Sequence, residues 1–171
     1  INEAHEQGLV VPNRRERLTD EDTQAAGAYV AYPKKGMHEW VGAIDINSLY
    51  PSAIRALNMA GETIVGQLRP VMTNNYIKNK IDNKSSFAMA WEGLFGTLEY
   101  TAVMKQSIGT EITIDWENGS ESVHSAAEIW KLIFDSNQPW MLSANGTIFT
   151  YEKEGVVPGL LKRWYSERQE I

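Results

Sequence analysis

The alternation of apolar and polar residues predicts antiparallel strands in the second half of the chain. "TEITIDWENGS", residues 110–120, alternates over several positions and predicts a strand that ends in a turn at Asn118-Gly119. "WMLSANGTIFTYEKE", residues 140–154, predicts a hairpin that closes at Asn145-Gly146. Asn-Gly is the strongest short hairpin signal, because both residues accept the positive φ angles that such a turn requires.

Helical spacing appears on either side of this hairpin. "SVHSAAEIWKLIFDSN", residues 122–137, predicts an amphipathic helix with Ser122 as its cap. Its apolar face holds Val123, Ala127, Trp130 and Phe134. Weaker helical patterns cover residues 73–81 and residues 86–106, the second interrupted by Gly93 and Gly96. The chain is therefore expected to belong to the α+β class.

The last helix is predicted over "PGLLKRWYSERQEI", residues 158–171, with Pro158 in its first turn. One face of this helix holds Leu161, Trp164, Tyr165 and Arg168. No stop signal precedes the end of the chain, and the chain begins with isoleucine rather than methionine. We therefore expect it to be a fragment of a longer protein.

Residues 1–26 are polar and predict a loop or a loosely packed arm. Two extended stretches then follow, joined by a turn at Lys34-Lys35-Gly36. The second, from Trp40 to Ile46, is rich in apolar residues and predicts a central strand with Asp45 near its end. A short helix is predicted over "PSAIRALNM", with Pro51 near its start. A single carboxylate thus lies between a strand and a helix.

Composition removes several classes of chemistry. The chain has 171 residues, of which 43% are hydrophobic and 22% charged, a balance typical of one globular domain. It has no cysteine, which excludes disulfides, thiolate catalysis and zinc sites that need sulfur. Its three histidines lack ligand spacing, and no apolar run of transmembrane length or signal segment is present, so no membrane partner is expected.

Charge and local structure point to cations bound by a carboxylate. The net charge of −6 argues against a generally basic surface that coats nucleic acid. A strand followed by a turn and a helix leaves N–H groups without intrahelical partners, and phosphate commonly binds such groups. Asp45 would repel that phosphate unless a divalent cation lay between them, and Mg²⁺ binds through carboxylates and phosphate oxygens together. The residues therefore predict a site for metal-bound polyphosphate.

"DINSLYPS", Asp45 to Ser52, resembles motif A of family B DNA polymerases, written D-x-x-S-L-Y-P-S. The following "IRALNMAGETIVG", residues 54–66, is similar to the helix and N-x-x-x-E-T stretch of polymerases of the T4-like phage type. "GAYV", residues 27–30, resembles the linker before the palm strand. "SANGTIFTYEKEGVVPGLLKRWYSERQE", residues 143–170, resembles the palm hairpin and the first turns of the fingers helix.

The resemblance implies a fold and a division of the chain. The fold would be α+β: part of a polymerase palm, with helices packed on an antiparallel sheet, plus the start of the fingers helix and an inserted α+β subdomain. Residues 1–66 would hold the linker and the palm strand with motif A. Residues 67–138, which resemble nothing specific, would be the insertion. Residues 139–171 would hold the palm hairpin and the start of the fingers helix.

The resemblance also implies roles for single residues. Asp45 would bind both catalytic Mg²⁺ ions, and Ile46 would offer its backbone carbonyl to one of them. The backbone amides of Ser48, Leu49 and Tyr50 would hold the triphosphate. The Tyr50 ring would lie beneath the incoming sugar and exclude ribonucleotides. Arg168 would reach the triphosphate from the fingers helix.

Two further polymerase motifs are missing from the chain. It has neither Y-G-D-T-D-S, which supplies the second metal-binding aspartate in this family, nor K-x-x-x-N-S-x-Y-G of the fingers. The chain would thus hold half of the ligands of a two-metal site and would be inactive alone. Implied partners are primer-template DNA, a deoxynucleoside triphosphate, and the remaining polymerase domains or a second polymerase subunit. The implied location is the cytoplasm of a phage-infected bacterium.

Alternatives remain open at this stage. The chain could be a piece of a single-chain polymerase, a subunit of a split polymerase, or a non-catalytic interaction module that keeps the palm scaffold. Asp45 could cap the following helix, Tyr50 could be a core aromatic residue, and Arg168 could favour a helix C-terminus.

Overall fold

The computed structural model describes residues 2–10, 31–46, 48–85 and 95–169. The chain divides into two compact units, Ile1–Asn47 and Ser48–Ile171. In the first unit, residues 2–6 form a short helix within the segment predicted to be a loop or arm. The linker-like stretch 27–30, Asn47, and residues 86–94 of a predicted helix lie outside the described residues.

The second unit is built on a five-stranded antiparallel sheet in the order β3-β2-β1-β5-β4. Its strands are β1 (Ile64–Leu68), β2 (Glu111–Trp116), β3 (Glu121–Ser125), β4 (Trp140–Leu142) and β5 (Thr147–Thr150). Across the described residues the α-helices are α1 (Asn2–Glu6), α2 (Leu49–Ala56), α3 (Val71–Asp82), α4 (Leu98–Met104), α5 (Ala126–Trp130) and α6 (Val156–Gln169). This mixture confirms the α+β class.

The hydrophobic core lies between the sheet and the helices α4 and α5. The strands contribute Leu68, Ile112, Ile114, Leu142 and Ile148, and the helices with the π-helical turn after α5 contribute Ala102, Val103, Ala126, Ile129 and Ile133. The alternate burial of Ile112 and Ile114 in β2 agrees with the alternation seen in the sequence. Burial of this apolar surface stabilises the unit as a whole.

Both Asn-Gly turns form where the sequence predicts them. Gly119 has a φ of 80° and Gly146 a φ of 87°, a region that glycine enters without steric cost. The first turn joins β2 to β3, and the second joins β4 to β5. The hairpin at 140–150 is therefore confirmed.

The predicted cap at Ser122 is wrong. Residues 121–125 form β3, which pairs with β2, and the helix begins after Ser125. Ser125 and Glu128 form a capping box: the Glu128 N–H donates to Ser125 Oγ, and the Ser125 N–H donates to the Glu128 carboxylate at 2.8 Å. The hydrogen bonds from Ser125 lower the pKa of Glu128. Pairing with β2 thus shortens the predicted helix at its start.

The central strand predicted from Trp40 to Ile46 is also wrong. These residues have no strand structure, and the described residues contain no strand that pairs with them. Trp40 has a φ of 58°, which interrupts an extended backbone, and its side chain is 99% exposed. An apolar run becomes a strand only where a neighbouring strand accepts its hydrogen bonds, which sequence pattern alone does not supply.

Other predicted helices are present. α2 begins at Leu49 with Pro51 in its first turn, α3 covers the weak pattern at 73–81, and α6 covers the last helix. Of the pattern at 86–106, the described part is helical from Leu98 to Met104. No helix among the described residues has the length and apolar character needed to cross a membrane.

The division at 66/67 and 138/139 stays a prediction. β1 runs across the first of these boundaries, from Ile64 to Leu68. Its neighbours in the sheet are β2, from within the block 67–138, and β5, from outside it. The block and the rest of this unit therefore share one sheet.

The buried Glu99 carboxylate joins α4 to α3, and its removal tests how much this contact stabilises the unit. The Glu99 side chain is 1% exposed and accepts hydrogen bonds from the Met72 N–H at 2.5 Å, the Thr73 N–H at 3.2 Å and the Thr73 hydroxyl at 2.5 Å. Glu99→Ala leaves these donors without their acceptor, and we expect it to lower the free energy of unfolding by about 3 kcal/mol. Urea unfolding of the chain measures this change.

The matched control is Glu152→Ala, which removes an exposed carboxylate from the loop after β5. It should change the free energy of unfolding by less than about 0.5 kcal/mol. Equal effects of the two substitutions would contradict the role of Glu99 as the acceptor for donors at the start of α3.

Candidate functional site

Asp45 and Ile46 lie in the last described part of the first unit. Both are exposed, Ile46 at 64%, and neither belongs to a helix or strand. The Asp45 carboxylate and the Ile46 carbonyl are hard oxygen donors, the type that Mg²⁺ prefers. Among the described residues, no group of three or more histidine, aspartate or glutamate side chains could hold a metal ion together.

The start of α2 presents backbone N–H groups at an exposed turn. Ser48 occupies the N-cap position in the left-handed conformation, with a φ of 52° and a ψ of 47°. The first backbone bond of the helix runs from the Ser52 N–H to the Ser48 carbonyl at 2.9 Å. The N–H groups of Leu49 and Tyr50 therefore precede the intrahelical ladder, and Pro51 has none.

The side chains at this turn are accessible as well. Leu49 is 51% exposed and Tyr50 is 75% exposed. The Tyr50 ring is therefore not part of the core of the second unit. An exposed ring next to exposed amides can contact a bound molecule through its flat face while the amides hold an anion.

α6 packs against α2 and runs in the opposite direction. Near the end of α2, the Asn58 side chain contacts Gly155 just before α6 begins, whereas Arg55 lies over the Tyr165 ring, 5.3 Å from its centroid. Moving back along α2 towards Ser48 thus corresponds to moving forward along α6. Arg168 is exposed in the last turn of α6.

A polar cleft of about 470 Å³ lies between the two helices. Its lining is Ser52, Arg55, Ala56, Asn58, Glu154, Pro158 and Lys162. Lys162 donates to the Glu154 carboxylate at 3.0 Å across one wall. Both helices thus expose polar side chains to this cleft.

The structure brings some of the predicted site residues together. Ser48, Leu49 and Tyr50 share one turn, and Arg168 belongs to the helix packed on α2. Asp45 and Ile46 belong to the other unit and precede Ser48 by three and two positions in the sequence.

The family model for family B DNA polymerases matches residues 1–171. The chain belongs to family B of the DNA polymerases. Three similar proteins are polymerases from an archaeon and two bacteriophages. DNA polymerase 2 of Aeropyrum pernix is 40% identical over 65 residues, which cover 38% of this chain and 8% of that protein.

The DNA-directed DNA polymerase of Escherichia phage RB69 is 34% identical over 77 residues, which cover 45% of this chain and 8% of that protein. That of Enterobacteria phage T4 is 41% identical over 51 residues, which cover 30% of this chain and 6% of that protein. The family B chain therefore spans a small part of the length of the curated relatives it matches. No solved structure matches it significantly.

The donor chemistry of this family B chain suits the divalent metals that such polymerases generally use. The Asp45 carboxylate and the Ile46 carbonyl are oxygen donors, with no thiolate or imidazole beside them in the motif, and such donors favour Mg²⁺ over zinc or copper. These two donors are fewer than the six ligands of Mg²⁺, so substrate oxygens, water and further carboxylates would complete the shell.

Residues that join α2 to α6 in this family B chain were not predicted from the sequence. Arg55 stacks on Tyr165, and Asn58 and Glu62 bond to the backbone at the start of α6. One signal was present: asparagine directly after a helix often adopts the left-handed conformation, and Asn58 does so with a φ of 50°. Its partners lie more than 90 residues away, beyond any local pattern.

Proposed function

We propose that this chain is the part of a family B DNA polymerase palm that carries motif A and binds the incoming nucleotide and the catalytic metals. The first turn of α2 is the observation that carries the proposal. The Leu49 and Tyr50 amides, which precede the intrahelical bonds, and the exposed Tyr50 ring follow Asp45 within five positions, in the order of D-x-x-S-L-Y-P-S.

Each residue has a task in this proposal. The N–H groups of Ser48, Leu49 and Tyr50 hold triphosphate oxygens, because the start of a helix carries partial positive charge and donors aimed outward. The Tyr50 ring lies beneath the sugar and leaves no space for a 2′-hydroxyl. Arg168 adds a full positive charge from the last turn of α6.

Asp45 and Ile46 hold Mg²⁺ in the proposal. When bound, the two metal ions stabilise the attacking 3′-oxygen and the leaving pyrophosphate oxygen of nucleotidyl transfer. Asp45 contributes the negative charge that keeps the metals beside the triphosphate, and the Ile46 carbonyl adds a neutral oxygen ligand. Positioning and charge neutralisation are the main sources of rate enhancement in such phosphoryl transfers.

The partners follow from this chemistry. Primer-template DNA and a deoxynucleoside triphosphate are the substrates, and the remaining polymerase domains or a second polymerase subunit supply the other metal-binding aspartate. The similarity to two phage polymerases favours action in the cytoplasm of an infected bacterium.

The isolated chain should extend no primer, because one aspartate does not hold two metal ions by itself. Extension of a labelled primer with Mg²⁺ and all four deoxynucleotides measures this. The positive control is the polymerase that contains this chain together with the Y-G-D-T-D-S and K-x-x-x-N-S-x-Y-G motifs. Extension by the purified chain that disappears in Asp45→Ala would contradict the prediction.

The same assay separates the three open forms of the proposal. Activity with all motifs in one polypeptide supports a single-chain polymerase. Activity only after a separate polypeptide is added supports a split enzyme. A polypeptide with all motifs that never extends primers would support a non-catalytic module instead.

A further inference from the structure

The Asn58 side chain connects the end of α2 to the segment between β5 and α6. It is 7% exposed and uses both ends of its carboxamide. Its Nδ2 donates to the carbonyls of Thr150 and Lys153, each at 2.8 Å, and its Oδ1 accepts from the Gly155 N–H at 2.8 Å. One side chain therefore satisfies three backbone groups of a segment that leads directly into α6.

Glu62 adds a second connection to the same segment. Its carboxylate accepts from the Val156 N–H at 2.7 Å, in the first turn of α6. The N-terminus of a helix carries partial positive charge and unpaired donors, so a carboxylate there both pairs a donor and stabilises the helix. Glu62 thus caps α6 from a short 3-10 turn, Gly61–Thr63, that follows α2.

Thr63 holds the connecting loop in shape. It is fully buried, and its hydroxyl donates to the Asn58 carbonyl at 2.6 Å and accepts from the Ala60 N–H at 3.1 Å. Asn58, Glu62 and Thr63 are called the clasp below. The clasp is a single unit, because Thr63 fixes the backbone from which Asn58 and Glu62 extend.

The fit between the clasp and the start of α6 is close. A Cβ atom at Gly155 would lie 2.8 Å from Ala60 Cβ and 3.2 Å from Thr63 Cγ2. The backbone therefore approaches the loop as near as glycine allows, and small shifts of α6 in this direction are blocked. Hydrogen bonds and close packing therefore both limit movement of the start of α6 relative to the clasp.

We propose that Asn58 and Glu62 are positioning residues that set the orientation of α6 relative to α2. The part of this proposal that concerns nucleotide binding rests on the proposed function. α2 begins with the Tyr50 turn and α6 ends near Arg168, so the clasp sets where the arginine lies relative to the amides that hold the triphosphate. Loosening the clasp weakens nucleotide binding while the metal site at Asp45 keeps its chemistry.

Asn58→Asp tests the clasp with almost no change in volume. Aspartate also tolerates the left-handed conformation, and it keeps the acceptor for the Gly155 N–H. It replaces the two donated hydrogen bonds with a carboxylate oxygen facing two carbonyl oxygens. In the complete chain, amide hydrogen exchange at Gly155 and Val156 should accelerate by at least about tenfold.

Asn83→Asp is the matched control. Asn83 also follows a helix, and its Nδ2 donates to the Asn79 carbonyl at 2.7 Å, but it is exposed at the end of α3. Exchange at Gly155 and Val156 should match the wild type in this variant. Unchanged exchange in Asn58→Asp would overturn the clasp itself.

Nucleotide kinetics test the positioning role in the polymerase that contains this chain. Asn58→Asp and Glu62→Ala should raise the KM for the incoming deoxynucleotide about tenfold with a smaller change in kcat, because a misplaced α6 weakens binding in the ground and transition states alike. Glu62→Gln keeps a neutral acceptor for the Val156 N–H, so its KM for the deoxynucleotide should stay close to the wild-type value. A purely structural defect would lower the active fraction and leave KM unchanged.

The outcomes are distinguishable from a failure of the proposed function. Faster exchange at Gly155 with wild-type KM and kcat would overturn the positioning role and leave the proposed function standing. Activity that survives Asp45→Asn would overturn the proposed function, and the exchange experiment would still decide whether the clasp holds α6.

Discussion

Replacing Asp45 with asparagine is expected to lower nucleotide incorporation by the polymerase that contains this chain on the order of 10³-fold or more. The substitution keeps the size of the side chain and removes its charge. Two divalent cations close together need carboxylates to offset their repulsion, and an amide oxygen is a weaker ligand without negative charge. Single-turnover incorporation of one deoxynucleotide at saturating Mg²⁺ measures the loss.

Glu39→Gln is the matched control for this prediction. Glu39 is an exposed carboxylate in the same described segment, six positions before Asp45. It should leave the rate within about twofold of the wild type, because a surface charge outside the site contributes little. Primer-template affinity should be preserved in both variants, since contacts with DNA phosphates come from positive groups. Incorporation at the wild-type rate by Asp45→Asn would show that Asp45 is not a metal ligand.

Tyr50→Ala is expected to reduce the preference for deoxynucleotides over ribonucleotides by about 100-fold. The expected effect is steric. In the proposed function, the amides at the start of α2 hold the triphosphate and the exposed Tyr50 ring lies beneath the sugar. Removing the ring opens space for the 2′-hydroxyl, so ribonucleotide incorporation rises while deoxynucleotide incorporation falls less. Paired insertion kinetics with both sugars give the ratio of kcat/KM values.

Two variants sharpen this test. Tyr50→Phe keeps the ring and should keep most of the sugar discrimination. Tyr151→Ala removes another exposed tyrosine of the same unit, in the loop after β5, and should change nothing. Asp45→Asn should lower the incorporation of ribonucleotides and deoxynucleotides together, because it removes a charge that holds the metals and leaves the volume of the sugar pocket unchanged. Unchanged discrimination in Tyr50→Ala would mean that the ring does not face the sugar.

The sequence determined features whose causes are local. Asn-Gly placed two tight turns, because its glycine adopts a positive φ without steric cost. Pro51 lies in the first turn of α2 and Pro158 in that of α6, as the missing N–H of proline allows. The resemblance over Asp45–Ser52 also identified the family before any geometry was known, since a motif is itself a local pattern.

Tertiary structure decided the features that depend on distant partners. The apolar run at 40–46 has every local mark of a strand, yet a strand exists only where a neighbour accepts its hydrogen bonds. Residues 122–125 were predicted to be helical but belong to β3, because β2 pairs with them. The preference of a short segment is weak compared with a ladder of hydrogen bonds and a buried face, so tertiary contacts overrode it.

The candidate site shows the same division. Tyr50 and the amides of α2 follow from the motif, but the packing of α6 against α2 does not. Asn58 reaches groups 92, 95 and 97 residues ahead in the chain, a separation at which sequence pattern says nothing about contact. The sequence alone therefore determined which residue types stand at the candidate site, whereas folding decided how the helices that carry them are held, because a hydrogen bond depends on distance in space and not on distance along the chain.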